Sequence, residues 1–399
     1  MSIPAALSRR RDYAGPALLS AGFRPFFLAA GVWAAISVAI WIPVHAGIVA
    51  LPERVSPLDW HIHEMLYGYV AASIAGFLLT AIPNWTGRLP VNGKPLAALA
   101  LVWLAGRVAM IAPPVAGTLA AAVIDMGFLL ALFVVAAREI IAGSNWRNLR
   151  VLLVVAVFIA GNAVFHFEVL TAGSAYYGVR IAIAAVILLI ILIGGRIVPS
   201  FTHNWLTQNN PGRLPRSFSR FDALAIACAA LALGGWIAAP TQAVAGWLMV
   251  AAAVLHFVRL ARWAGDRTFS NPLVIVLHAA YFFVPLGFLL NGVTALSFAV
   301  PPSAGIHAWT AGAAGMMTLA VMTRASLGHT GRALAASRAT QAIYVLAAIA
   351  ALSRIAVTFN GEVALLHLSA LAWISAFGGF ALAYGPILIG TPPAWQRGG

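Results

Sequence analysis

Twelve apolar runs, most of them 18–25 residues long, constrain this chain more than any other feature. A helix of that length crosses a hydrocarbon core of ~30 Å. In lipid every backbone N–H and C=O must be satisfied within the chain, which leaves helices or a closed barrel. A barrel would show alternating segments of about ten residues, and these runs do not alternate. Charged residues are 9% of the chain, against about a quarter in a soluble domain. The sequence therefore reads as all-α, a polytopic membrane bundle forming one integral membrane domain over 1–399. Its spans fall at approximately 25–46, 58–84, 95–112, 115–138, 149–171, 177–200, 219–239, 242–263, 271–291, 304–324, 339–358 and 363–388. Residues 1–24 and 389–399 are the flanking segments. The joints carry turn residues: Pro52, Pro57, Pro113-Pro114, Asn209-Asn210-Pro211-Gly212, Pro240, Pro301-Pro302 and Asn360-Gly361.

The net charge of +14 comes from cations scattered singly between spans, a pattern unlike a nucleic-acid surface. Their distribution instead orients the bundle. Nineteen Lys and Arg lie on the N-terminal side, from Arg9, Arg10 and Arg11 to Arg397, and two, Arg54 and Arg180, in the opposite loops. By the positive-inside rule both termini face the cytoplasm and even-numbered helices start on the outer side. One cysteine, Cys228, excludes a disulfide framework, a thiolate metal cluster and a Cys-x-x-Cys-His haem attachment. The start of the chain has no small-residue cleavage site after its arginines, so the N-terminus is expected to be retained.

The second span opens on Trp60-His61-Ile62-His63-Glu64, and the tenth on Ile306-His307. Thr330-Gly331-Arg332 follows Thr86-Gly87-Arg88 by 244 residues, and His307 follows His63 by the same 244. Helices 2, 6 and 10 have endings of similar character, which points to three four-helix units. Two residues apart is ~200° around a helix, so His61 and His63 face different neighbours. Ser56 and Pro57 read as the N-cap and first residue of that helix. His61, His63, His166, His307 and His367 share one outer layer beside Glu64, Glu168, Arg107 and Arg354. Interfacial histidines also bond loops or headgroups, but five at one depth suit a metal. Neutral imidazole is a common metal ligand, with its tautomer fixed by an outer acceptor. Glu64, Glu168 and Asp59 are candidates for that acceptor. His256 and His278 form a second pair in the cytoplasmic half, with Tyr281 on the face of His278. His45, His203 and His329 read as interfacial, the last two in cytoplasmic loops. Asp125, about halfway across, is a candidate for passing protons, countering a cationic centre, or pairing with Arg107 or Asn162. Arg107, Arg196 and Arg354 are near enough to helix ends to snorkel. The stripe Gly68, Ala71, Ala72, Ala75 and Gly76 reads as a close helix-packing face.

Several segments resemble the NnrS family. They are Gly22-Phe23-Arg24-Pro25-Phe26-Phe27, Trp60-His61-Ile62-His63-Glu64-Met65, and Gly76 through Pro83-Asn84-Trp85-Thr86-Gly87-Arg88. Gly161-Asn162, Gly194-Gly195-Arg196 with Pro199-Ser200-Phe201-Thr202, and Gly328-His329-Thr330-Gly331-Arg332 add to them. The resemblance implies a multi-pass protein of the bacterial inner membrane, binding haem b without covalent attachment and copper. It also implies a setting of nitric oxide response, nitrosative stress and denitrification. Repeat equivalence and depth then assign His63 and His307 to haem iron, with His256 and His278 as the alternative haem pair. Copper falls to a subset of His61, His166 and His367, with Glu64 behind them. The function expected is an oxidoreductase reducing nitric oxide to N2O near the periplasmic face, supplied by an electron donor the sequence does not name. Its other expected partners are nitric oxide itself and membrane lipids. The alternatives are a transporter of a metal or small solute, and a non-catalytic nitric oxide-responsive haem protein. Against a transporter, the repeats read as parallel and no broken helix pair is evident.

Overall fold

The computed structural model describes residues 13–51, 55–112, 117–297 and 299–391. Arg9, Arg10, Arg11, Pro52, Arg54, Pro113-Pro114 and Arg397 lie outside the described residues. The described chain forms twelve helices and no strand. They are α1 (Phe23–His45), α2 (Pro57–Thr86), α3 (Gly93–Ile111), α4 (Thr118–Ala142), α5 (Trp146–Ala172), α6 (Tyr177–Asn209), α7 (Arg220–Ala238), α8 (Ala243–Ala261), α9 (Pro272–Ser297), α10 (302–329), α11 (Arg338–Asn360) and α12 (Val363–Ile389). All except α10 are long and apolar enough to cross a membrane, and the protein is a multi-pass membrane protein. Helix α10 is continuous, but His307, Thr310, Thr318 and four glycines dilute its apolar content. Helix α6 runs nine residues past its expected end, so His203 is helical and not in a loop. Thr202 Oγ1 and Asn209 Nδ2 bond the carbonyls of Val198 and Trp205, carrying the polar end onward. His329 is the last residue of α10.

The four-helix period is built into the backbone. Only α2, α6 and α10 contain a π-helical stretch among the described residues: Glu64–Val70, Ile190–Gly194 and Ala308–Gly315. Ala308 follows Glu64 by the same 244 residues that separate the two histidines. A π-turn widens the helix and leaves room and unpaired carbonyls for neighbours. Trp103 Nε1 donates to Gly68 O at 2.9 Å in the first stretch, and Arg259 Nη1 to Ile191 O at 3.2 Å in the second.

The chain divides into two compact units. The first comprises Met1–Ala182, Met322–Ala333 and Phe377–Gly399, the second Ile183–Val321 and Leu334–Ala376. In the first, α1 packs on α2 through its phenylalanines. A Cβ on Gly76 would stand 2.5 Å from Phe27 Cδ1, so the small-residue face of α2 is a packing face. Buried Arg24 donates from Nη1 to Leu388 O at 2.9 Å and Gly390 O at 2.8 Å, capping the end of α12. In the second, buried Arg259 reaches Asp222 at 3.1 Å and Tyr281 at 2.9 Å. A Cβ on Gly195 would stand 2.9 Å from the Arg259 Cζ, so the guanidinium packs directly on this glycine.

Candidate metal centre

Helix α2 starts with Ser56 Oγ accepting the Asp59 N–H at 3.0 Å and Pro57 in the first turn. Both histidines are therefore already helical, and their rings part. His61 stacks on Trp41, centroids 4.5 Å apart and planes 12° apart. His63 turns into the first unit and is wholly buried.

There it meets Asp125 of α4 and His166 of α5. His63 Nε2 and His166 Nε2 each lie 3.1 Å from Asp125 Oδ2. Asn162 Nδ2, one turn before His166, donates to the same oxygen at 2.8 Å. One ligand atom from each of His63, Asp125 and His166 lies within 4.8 Å of the other two, and all three residues are buried. Around this triad the charges are arranged in pairs. Glu64 Oε1 lies 2.9 Å from His63 Nδ1, and Trp33 Nε1 donates to Glu64 Oε2 at 2.8 Å. Arg107 Nη1 donates to both Glu64 oxygens at 3.2 and 3.1 Å, while its Nη2 bonds Asp125 Oδ1. Arg107 does not snorkel, because two buried carboxylates hold it inside.

Glycines make this convergence possible. A Cβ on Gly106 would stand 3.2 Å from both Cα and Oδ1 of Asp125, so α3 and α4 touch where Arg107 meets Asp125. A Cβ on Gly68 would stand 2.9 Å from Arg107 Nη1. Two carboxylates against one guanidinium leave an excess negative charge beside two imidazoles. Buried uncompensated charge is costly, so that charge is balanced by a proton on an imidazole or by a cation bound among these side chains. Asn162 Oδ1 and Tyr67 Oη are buried with no hydrogen-bond partner. The donor set of two imidazoles and a carboxylate fits a borderline divalent metal.

The remaining candidate residues make other contacts. Glu168 accepts the N–H groups of Tyr176, Tyr177 and Gly178 at 2.8–2.9 Å and caps the start of α6. Asp59 Oδ2 is bonded by Ser56 Oγ at 2.7 Å within the α2 cap. His63 and His166, assigned from sequence to different cofactors, share one cluster with Asp125. His307 and His367 belong to the second unit. The Nδ1 of His307 lies 2.7 Å from Ser303 O. A carbonyl only accepts, so Nδ1 carries a hydrogen, and in the neutral ring Nε2 is then the acceptor nitrogen. His367 is exposed on α12. His256 has both ring nitrogens engaged, Nδ1 with Tyr281 Oη at 2.9 Å and Nε2 with Ala225 O at 3.2 Å. His278 Nε2 meets Thr202 Oγ1 at 2.8 Å. Trp33 and Tyr67 were not anticipated from sequence. Tyr67 lies one turn from His63, a spacing that could have flagged it, whereas nothing in the sequence marks Trp33.

A family model described as NnrS protein matches residues 17–391, nearly the whole chain. No curated protein matches it.

Proposed function

This chain belongs to the NnrS family, and we propose that it binds copper and haem and reduces nitric oxide to N2O in a bacterial inner membrane. The observation that carries the metal reading is the buried convergence of His63, Asp125 and His166. Copper fits this donor set. His63 has a carboxylate facing each ring nitrogen, which suits this centre better than it would suit haem iron. His307 suits haem, since its Nδ1 is held by Ser303 O and its Nε2 lone pair is left for a metal.

Bound at these residues, the two metals would supply the redox couple and the coordination positions that nitric oxide needs. The chain does the rest. Glu64 fixes the His63 ring from Nδ1, and Arg107 with Trp33 fixes Glu64. Buried packing around the triad excludes bulk water, which strengthens each electrostatic contact. Two nitric oxide molecules, two protons and two electrons from a donor outside this chain balance to N2O and water. With both termini cytoplasmic, as the cation count supports, the first turns of α2 lie toward the periplasm. Nitric oxide arriving through lipid or periplasm would meet the centre there.

Metal analysis, an optical spectrum and headspace N2O on the purified full chain test this reading. His63→Ala, Asp125→Ala and His166→Ala are expected to lose copper and N2O formation while a haem band persists. His307→Ala is expected to lose the haem band. Full copper in the three triad variants refutes the centre. Full metal occupancy with no N2O from reduced protein refutes catalysis.

A further inference from the structure

Given the metal centre proposed above, on which this step rests, we infer that Asn162 is its fourth ligand. The ion held is then a divalent one in an N2O2 set of two imidazoles, a carboxylate and an amide oxygen. Three nitrogens converge on Asp125 Oδ2: His63 Nε2 and His166 Nε2 at 3.1 Å and Asn162 Nδ2 at 2.8 Å. A tetrahedral ion with bonds of about 2.0–2.1 Å spaces its ligand atoms by roughly 3.3 Å. The two histidine separations are within a few tenths of an ångström of that, so three ligand atoms are already clustered near the required scale, with the Asn162 amide against them.

The amide is the informative group. Asn162 is wholly buried, and its Nδ2 is used while its Oδ1 has no hydrogen-bond partner. A buried amide oxygen without a partner costs ~1–3 kcal/mol. The two ends of an amide exchange by a half-turn about one side-chain bond. With no cation between the side chains, N–H is the end that suits Asp125. With a cation there an N–H is repelled, and the half-turn presents Oδ1 to the ion. Asn162 and His166 are one helical turn apart on α5, so one rigid element delivers both ligands. The set lacks soft sulfur, which favours Cu2+, Co2+ or Zn2+ over Cu+.

The test loads the purified full chain with Co2+ and reads two quantities: affinity by equilibrium dialysis, and coordination number from the cobalt K-edge pre-edge intensity. Haem does not obscure the latter. Asn162→Ala is expected to weaken Co2+ by about tenfold or more, the scale at which even residues behind a ligand act. Its pre-edge should depart from the four-coordinate signal of the wild type. Asn162→Asp restores an oxygen ligand and is expected to recover both, with size-exclusion profiles confirming folded protein throughout. Wild-type affinity and spectrum in Asn162→Ala, with Co2+ lost in Asp125→Ala and His166→Ala, overturns the fourth ligand and leaves the centre standing. Undiminished Co2+ in Asp125→Ala and His166→Ala overturns the centre itself.

Discussion

Replacing Arg107 by methionine separates the electrostatics of the empty cluster from those of the loaded one. Arg107, Glu64 and Asp125 have side chains no more than 2% exposed, and the guanidinium bonds both carboxylates. Removing one partner of a buried ion pair costs ~3–5 kcal/mol, because the other charge remains buried. Here two carboxylates lose their common cation, which places Arg107→Met at the upper end. At ~1.4 kcal/mol per tenfold, the metal-free protein should lose on the order of 10³–10⁴ in its folded-to-unfolded ratio. A divalent ion on His63, Asp125 and His166 supplies the missing charge, so the loaded protein should lose much less. The variant should therefore bind Co2+ more tightly than the wild type, since the difference in loss must appear as metal affinity. Adding Glu64→Gln removes one of the stranded charges and should restore part of the metal-free stability. Unfolding of the three proteins by SDS titration in mixed micelles, each with and without Co2+, measures all six values. An equal loss in both states, or none in either, refutes the reasoning.

Three further outcomes rest on separate features. Gly106→Ala places a methyl 3.2 Å from the Asp125 backbone; it should lower metal content with helicity unchanged, and full metal would show that α3 and α4 can part freely. Glu168→Gln weakens an ionic cap on three N–H groups and should cost ~0.5–2 kcal/mol at constant metal content; loss of metal would place Glu168 in the centre. A cysteine at Asn210, on a Cys228→Ser background, should react only with reagents that reach the cytoplasm and one at Pro301 only from outside, and the reverse would invert the topology drawn from the cation count.

The fold was legible because lipid makes it so. Length and apolarity of each run suffice when every backbone group must bond within its own segment. The ends were less legible, since α6 continues to Asn209 on polar residues that bond their own backbone, which hydropathy cannot register. The site was legible in part. His63, His166, Glu64 and Asp125 could be named from residue type and depth, with Arg107 and Asn162 as partners of Asp125. Their joining into one cluster could not. It depends on Gly106 bringing α3 against α4, and on the rotations of α2, α4 and α5 about their axes. Depth along a helix can be counted from sequence, but such rotation is set by packing.

The 244-residue equivalence shows how one backbone device can serve two chemistries. In both α2 and α10 a histidine immediately precedes a π-helical stretch. The state of that histidine is decided by its C-terminal neighbour. In α2 the neighbour is Glu64, whose carboxylate takes the ring's Nδ1 and is itself held by Arg107 and Trp33. The ring is thereby drawn into a charged, buried network with Asp125. In α10 the neighbour is Ala308, with no group to offer, and Nδ1 turns back to its own helix at Ser303 O. In the neutral ring this leaves Nε2 as the one nitrogen with a lone pair. The two positions therefore differ in the ion they would suit. A carboxylate-flanked imidazole beside Asp125 suits a divalent cation that needs negative charge, whereas a neutral imidazole held by a carbonyl suits a metal that brings its own anionic ligands, as a porphyrin does. The divergence rests on one position, 64 against 308, and it supports the proposed placing of copper and haem at opposite members of the repeat.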